Sequence, residues 1–348
     1  MLIDMHAHVI PDRFPDVNGR AAGDRWPRLE PAETPGARVF AAGEMRFTAR
    51  DAFYDGQRRL EAMEANGVDA EAVSPFPPLL NYALSPEDGR DLARHVNEFV
   101  ATLCQSAPER FYGLGTVPLQ DPALAASELA EVHSAGLAGV EIGSNVGGAS
   151  LGDERFREFF QEAERLGLSV FVHALGPTFA DRLPGAAMPS VGVMTEIALS
   201  AASLIMGGTA ERCPNLRLAF SHGAGGFPLM LPRAHYFWAG TWNEEPPPGG
   251  NARGAAQLPA SPYTYARRFY YDTLVFDRRA LQYLVDLIGA SQLLIGSDFP
   301  AMDREQPAGK TLRELGLPDH IVDDVTWHNT FRFLGVEEPA ISEVTGPC

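Results

Sequence analysis

The chain has 348 residues, 45% of them hydrophobic and 21% charged, and a formal net charge of −17. That length and apolar share suffice for one large core, and the composition carries no mark of disorder. The acidic balance, with no run of Lys or Arg, excludes a nucleic-acid partner, because phosphate binding needs a basic surface.

The three cysteines, Cys104, Cys213 and Cys348, are widely spaced and form no CxxC pair. Neither a disulfide framework nor a thiolate zinc site is indicated. The first residues lack a basic region followed by an apolar stretch. No window reaches the roughly 18 apolar residues needed to cross a bilayer. No membrane association and a cytoplasmic location are expected.

In chain order, short apolar runs bounded by turn residues predict strands at Leu2–Met5, Ala70–Ser74, Phe111–Thr116, Gly139–Ile142, Ser169–Val172, Arg217–Phe220, Phe269–Asp272 and Gln292–Gly296. Such runs suit strands buried on both faces. Helical periodicity lies between them. Arg59–Met63 precedes Gly67, a helix stop, and Ser85-Pro86-Glu87-Asp88 reads as an N-cap, a first-turn proline and an acidic first turn. Asp153 opens another amphipathic run through Leu166 to Gly167. Eight strands alternating with helices predict a parallel (β/α)8 TIM barrel, residues 1–348 forming a single domain; an open doubly wound sheet is the competing architecture. Residues 10 to 50 read as a long loop insertion after strand 1, and residues 241 to 262, with Pro246-Pro247-Pro248-Gly249-Gly250, as a second one. Long loops without their own core serve as lids, binding loops or contact surfaces.

The chemistry concentrates at strand ends. His6 and His8, in Asp4-Met5-His6-Ala7-His8, project to one face of a strand, where their imidazoles can converge on one ion. His173 ends the fifth predicted strand, His222 follows the sixth, and Asp298 follows the eighth. Singly, each is explained by a hydrogen-bonded histidine or a capping aspartate. Jointly, they converge on the barrel mouth where active sites lie.

These motifs, with Gly67-Val-Asp, Val117-Pro-Leu-Gln-Asp121, His222-Gly-Ala-Gly-Gly-Phe227, Arg233 and Gly296-Ser-Asp-Phe-Pro300, resemble the amidohydrolase superfamily. Within it they are similar to the metal-dependent decarboxylases typified by aminocarboxymuconate-semialdehyde decarboxylase. The resemblance implies one divalent metal ion, zinc or alternatively manganese, held by His6, His8, His173 and Asp298 with water completing the shell. It implies that His222 is the acid/base residue, with Asp298 accepting the water proton. It also implies that Arg46, or Arg50 in a looser alignment, and Arg233 bind a substrate carboxylate, Arg233 reaching across a homodimer interface. Binuclear relatives carry a carboxylated lysine on strand four. Here Gly139-Val-Glu141-Ile-Gly-Ser144 has no lysine, and Glu141 reads as a barrel-interior residue. His95, His133, His235, His320 and His328 are not read as ligands.

The expected activity is non-oxidative decarboxylation of a carboxylated muconate semialdehyde or a related unsaturated or aromatic acid. The alternatives are hydrolysis of an amide or lactone, hydration of an unsaturated diacid, or a barrel that binds metal only for stability. One departure concerns the pocket wall: Ala174-Leu175-Gly176-Pro177 stands where the resembled decarboxylase has Pro-Trp after its histidine.

Overall fold

All eight expected strands form, and they are parallel neighbours in one sheet. In the computed structural model, which describes residues 1–16, 19–33, 37–242 and 258–339, they are β1 (Ile3–Val9), β5 (Ala70–Pro75), β6 (Phe111–Gly115), β7 (Gly139–Gly143), β10 (Ser169–His173), β11 (Leu218–Phe220), β12 (Tyr270–Asp272) and β13 (Leu293–Leu294), hydrogen-bonded in that order. Past β13 the chain returns to β1. Met5 N–H donates to the Ile295 carbonyl (2.8 Å), Asp298 N–H to that of His6 (2.8 Å) and His8 N–H to that of Phe299 (2.7 Å). These bonds close a barrel and dispose of the open-sheet alternative.

β1 runs four residues beyond its expected end. Its histidines interrupt the apolar pattern, but all seven of its residues are buried. The polar side chains face the barrel interior rather than solvent, so a hydropathy pattern ends too early there.

Helices α1 (Gly56–Asn66), α2 (Pro86–Ser106), α3 (Pro122–Ser134), α4 (Arg157–Leu166) and α5 (Val193–Met206) pack outside the strands. Their caps are those the sequence announces. Ser85 Oγ accepts from Asp88 N–H with Pro86 at the first helical position, and Gly67 ends α1 at φ 67°. Asp153 caps a short turn, Glu154–Phe156, that leads into α4. Inside the barrel Met5, Ala72, Leu114, Phe171, Ala219 and Leu294 form one apolar cluster, closed from below by Phe333 and Leu334. Truncating Phe171, fully buried there, to Ala costs about 3–5 kcal/mol.

Two expectations need correction. The insertion after β1 is not a bare loop: it contains β2 (Arg28–Pro31), β3 (Arg38–Ala42) and β4 (Met45–Ala49) in an antiparallel sheet. Gly43, at φ 58°, makes the turn between β3 and β4, the position where tight hairpins require a positive φ. A helical stretch long and apolar enough to cross a membrane does exist, Gly185–Met206, with 44% of its most apolar window buried inside the protein. Ile197, Ala198, Ala201, Leu204 and Ile205 of this stretch are core residues, so its hydropathy reflects packing on the barrel. The Pro246–Gly250 run, finally, lies outside the described residues. A small hairpin, β8 (Asn145–Val146) with β9 (Ala149–Ser150), follows β7.

Candidate metal centre

Side chains from β1, from the end of β10, from the turn after β11 and from the turn after β13 meet at the C-terminal mouth of the barrel. His8 Nε2 lies 3.1 Å from His6 Nε2 and 2.9 Å from Asp298 Oδ1. The same carboxylate oxygen is 3.6 Å from His6 Nε2 and 3.9 Å from His173 Nε2. Ligand atoms of His6, His173, His222 and Asp298 also all lie within 4.8 Å of one another. Two overlapping groups therefore share His6, His173 and Asp298, one completed by His8 and the other by His222. For nitrogen ligands at ~2.0–2.1 Å in a tetrahedron, adjacent ligand atoms stand about 3.3 Å apart. The contacts of His8 sit close to that edge length.

The outer ring nitrogens explain why the inner ones converge. His8 Nδ1 faces the Pro75 carbonyl oxygen at 3.1 Å, and His173 Nδ1 faces that of Ala174 at 2.9 Å. A carbonyl can only accept, so both Nδ1 atoms carry the proton and both Nε2 atoms present a lone pair. His6 Nδ1 is likewise committed to Asp272 Oδ2 at 2.6 Å. Buried His173 Nε2 has no hydrogen-bond partner among the described residues. Buried imidazole nitrogens aimed at one point beside a carboxylate fit a divalent cation, and among the described residues no lysine or arginine pairs with Asp298 there.

Electrostatics follow from burial opposed by close charges. Burial pulls His6 down, but its bond to Asp272 and the nearby Asp298 and Asp272 charges outweigh it and push the imidazole up to about 9. Burial holds His8, His173 and His222 below the ordinary histidine value, neighbouring histidines adding to the effect. Asp298 is buried too, yet its bond to His8 and the surrounding imidazoles hold it far below the carboxylate range. Burial pushes Glu141, on β7, up to about 8. Among the described residues no well-formed hydrogen bond reaches either of its carboxyl oxygens, although the Ser74 hydroxyl stands beside it, and Oε2 lies 3.6 Å from His8 Nδ1. It faces the barrel interior, as expected from sequence.

The backbone at the site is strained. His222 (φ 54°), Ala224 (φ 59°) and Asp298 (φ 61°) adopt the left-handed region that costs non-glycine residues energy. Gly296 must be glycine for a different reason. A Cβ there would stand 2.8 Å from the Cβ atoms of both His6 and Asp272, pushing the pair apart.

Arg46 and Arg233 are not brought to the cluster; among the described residues neither has a hydrogen bond or ion pair to it. Arg46 pairs with Glu30 at 2.7 Å. Its neighbour Phe47, on the opposite face of β4, packs on Phe76 (5.0 Å between centroids). Phe76 in turn lies 6.1 Å from the His8 ring, so the insertion contributes an aromatic wall rather than a cation. Arg50 pairs with Asp303. Arg233, on the helix Phe227–Ala239, is exposed and stacks 4.9 Å from Phe237. His95 bonds the Arg13 carbonyl, His235 bonds Ser261 and His328 bonds Glu338, all away from the cluster. Asp272 is the site residue that sequence reading missed. It ends the seventh barrel strand, the same positional signal that singled out His173.

A family model described as "Amidohydrolase" matches residues 3–336. The chain is 30% identical over 341 residues to a 2-amino-3-carboxymuconate-6-semialdehyde decarboxylase of Dictyostelium discoideum, covering 96% of this chain and 92% of the relative. It is 25% identical over 309 residues to a gamma-resorcylate decarboxylase of Rhodococcus jostii, covering 84% and 85%. Among solved structures, 5-carboxyvanillate decarboxylase from Sphingomonas paucimobilis superposes with a TM-score of 0.79 at 27% identity, covering 97% and 99%.

Proposed function

Since the chain belongs to the amidohydrolase family, we propose that it is a metal-dependent, non-oxidative decarboxylase of a carboxylated muconate semialdehyde or a related unsaturated or aromatic carboxylic acid. The observation that carries this reading is the commitment of the three Nδ1 atoms of His6, His8 and His173 to acceptors, which aims all three Nε2 atoms at Asp298, the His6 proton being the one that a bound cation would displace. In this reading His6, His8, His173 and Asp298 hold one zinc ion, with manganese the alternative. The bound cation would supply Lewis-acid stabilisation of negative charge developing on substrate oxygen.

The chain's own groups do the rest. Asp298 stays ionised and accepts a hydrogen bond from water in the site, turning that water's other hydrogen toward His222, while solvent supplies the proton consumed in each turnover. His222, buried and held low, is neutral at neutral pH, and its Nδ1 has no hydrogen-bond partner among the described residues. It is placed to take up a proton and deliver it to the substrate carbon bearing the departing carboxylate. A new C–H bond forms, the C–C bond breaks, and its electron pair returns to the conjugated system as carbon dioxide leaves. Phe47 and Phe76 offer an apolar wall for a flat, conjugated substrate.

We assign Arg233 to the substrate carboxylate of a second copy, in a homodimer. Exposed Leu229, Met230 and Phe237 on its helix and Trp242 beyond it support a covered face. Arg46 has the weaker claim, since Glu30 already occupies its guanidinium. The chain is taken as one domain of a cytoplasmic enzyme.

The test is carbon dioxide release from a panel of aromatic and unsaturated carboxylic acids by the metal-loaded protein, with deuterium from heavy water appearing at the decarboxylated carbon. Turnover of lactones or amides with no carbon dioxide from any acid would replace this reading by hydrolysis.

A further inference from the structure

Along the β1–β5 wall, where it meets α1, lies a buried ionic network that the chemistry above does not use. Asp4 on β1 and Glu71 on β5 are directly paired in the parallel ladder, so two carboxylates share one row inside the protein. Arg304 bridges them, its Nε at 2.9 Å from Asp4 Oδ2 and its Nη2 on Glu71 Oε1. Arg59, from α1, donates Nε to the other oxygen of Glu71. All four side chains are at most 1% exposed, and two cations balance two anions. Such a group is poor evidence for stability, because desolvation offsets the attraction.

What distinguishes this network is the main chain it grips. The β1–β5 register slips between Asp4 and Ala7, so Met5 and His6 together oppose Ala72 alone. That bulge re-aims His6. Its N–H is held by Asp4 Oδ1 at 3.3 Å. Arg59 Nη1 donates to the His8 carbonyl at 2.7 Å. Ser297 Oγ donates to Asp4 Oδ2 and accepts from Phe299 N–H at 3.2 Å, which fixes both neighbours of Asp298. The Arg304 and Arg59 guanidinium carbons lie 3.8 and 5.6 Å from the Phe299 ring centroid.

We infer that Asp4, Glu71, Arg59, Arg304 and Ser297 are positioning residues, holding the β1 bulge and the Asp298 turn so that three candidate ligands keep their mutual geometry. The inference rests on the metal centre proposed above. It separates a structural ion network from one that sets metal affinity.

The experiment measures zinc affinity by chelator competition, and the visible spectrum of the cobalt-substituted protein, for wild type, Arg304→Met, Arg304→Lys and Ser297→Ala. Val132→Ala, a cavity in α3 remote from the site, controls for lost stability. Expected is a loss of affinity of about 10- to 100-fold in Arg304→Met with an altered cobalt spectrum, partial recovery in Arg304→Lys, and a smaller loss in Ser297→Ala. Val132→Ala should lose stability and keep affinity. Should Arg304→Met fail to fold, Ser297→Ala, which deletes one hydroxyl, decides alone. Wild-type affinity and an unchanged spectrum in every folded variant would overturn the inference while leaving the metal centre standing. A wild-type protein that binds no metal would instead sink the centre itself.

Discussion

His6 and Asp272 stand 2.6 Å apart although 266 residues separate them. The carboxylate also accepts from the Gly223 N–H at 2.9 Å, so one side chain ties the first barrel strand to the turn that carries His222. Asp272→Asn preserves volume but offers His6 Nδ1 a neutral amide in place of a carboxylate. Metal affinity should fall about 10- to 100-fold, measured by chelator competition, with the far-ultraviolet spectrum unchanged. Undiminished affinity would show that the pair serves folding alone.

Removing a ligand and removing the acid/base residue should have different consequences. His173→Ala is expected to lose stoichiometric zinc on dialysis. His222→Ala should retain it while turnover drops by about 10²- to 10⁴-fold, the usual contribution of a positioned proton donor. Metal analysis beside carbon dioxide release distinguishes them; a His222→Ala protein stripped of metal would move that histidine into the ligand set.

Arg233 gives a complementation test. If it serves the neighbouring subunit, inactive Arg233→Ala and His222→Ala proteins, mixed under conditions of verified subunit exchange, regain activity in hybrid dimers. No recovery would confine Arg233 to its own chain.

Glu141 makes the metal-free protein sensitive to pH. Its folded-state value, near 8, lies above its ordinary value of 4.5. The folded chain therefore keeps a proton that the unfolded chain releases, and stability falls as pH rises from about 4.5 to 8. Glu141→Gln removes that dependence. In chelator-treated protein the variant should match wild type at pH 5 and be more stable at pH 8, by at most about 5 kcal/mol. Urea titration at the two pH values measures the difference, and parallel curves would place the proton elsewhere.

The barrel and its histidines were legible because both signals are local. An apolar run bounded by turns is a strand wherever it sits, and a histidine at its end carries the functional hint with it. The sheet in the insertion was legible in principle, from the alternation on either side of Gly43-Glu44, but three short strands among prolines and arginines read as loop. Arg59, Glu71 and Arg304 were not legible at all. A charged residue is ordinarily exposed, and nothing beside it in sequence says that a partner up to 300 positions away will cover it; Arg304 and Glu71 meet only through the closed barrel. Arg46 shows the reverse case, a motif residue that pairs with Glu30 while strand alternation gives the position against Phe76 to Phe47.

The seam that closes the barrel runs through residues 5–8 and 295–299, so the first and last proposed holders of the cation sit on the final joint of the fold. A chain whose last third is unmade carries His6, His8 and His173 but lacks Asp298 and the far edge that closes the barrel on β1. In the proposed centre, loading of a divalent metal would therefore follow synthesis of Asp298, and protein made without that metal should remain fillable afterwards.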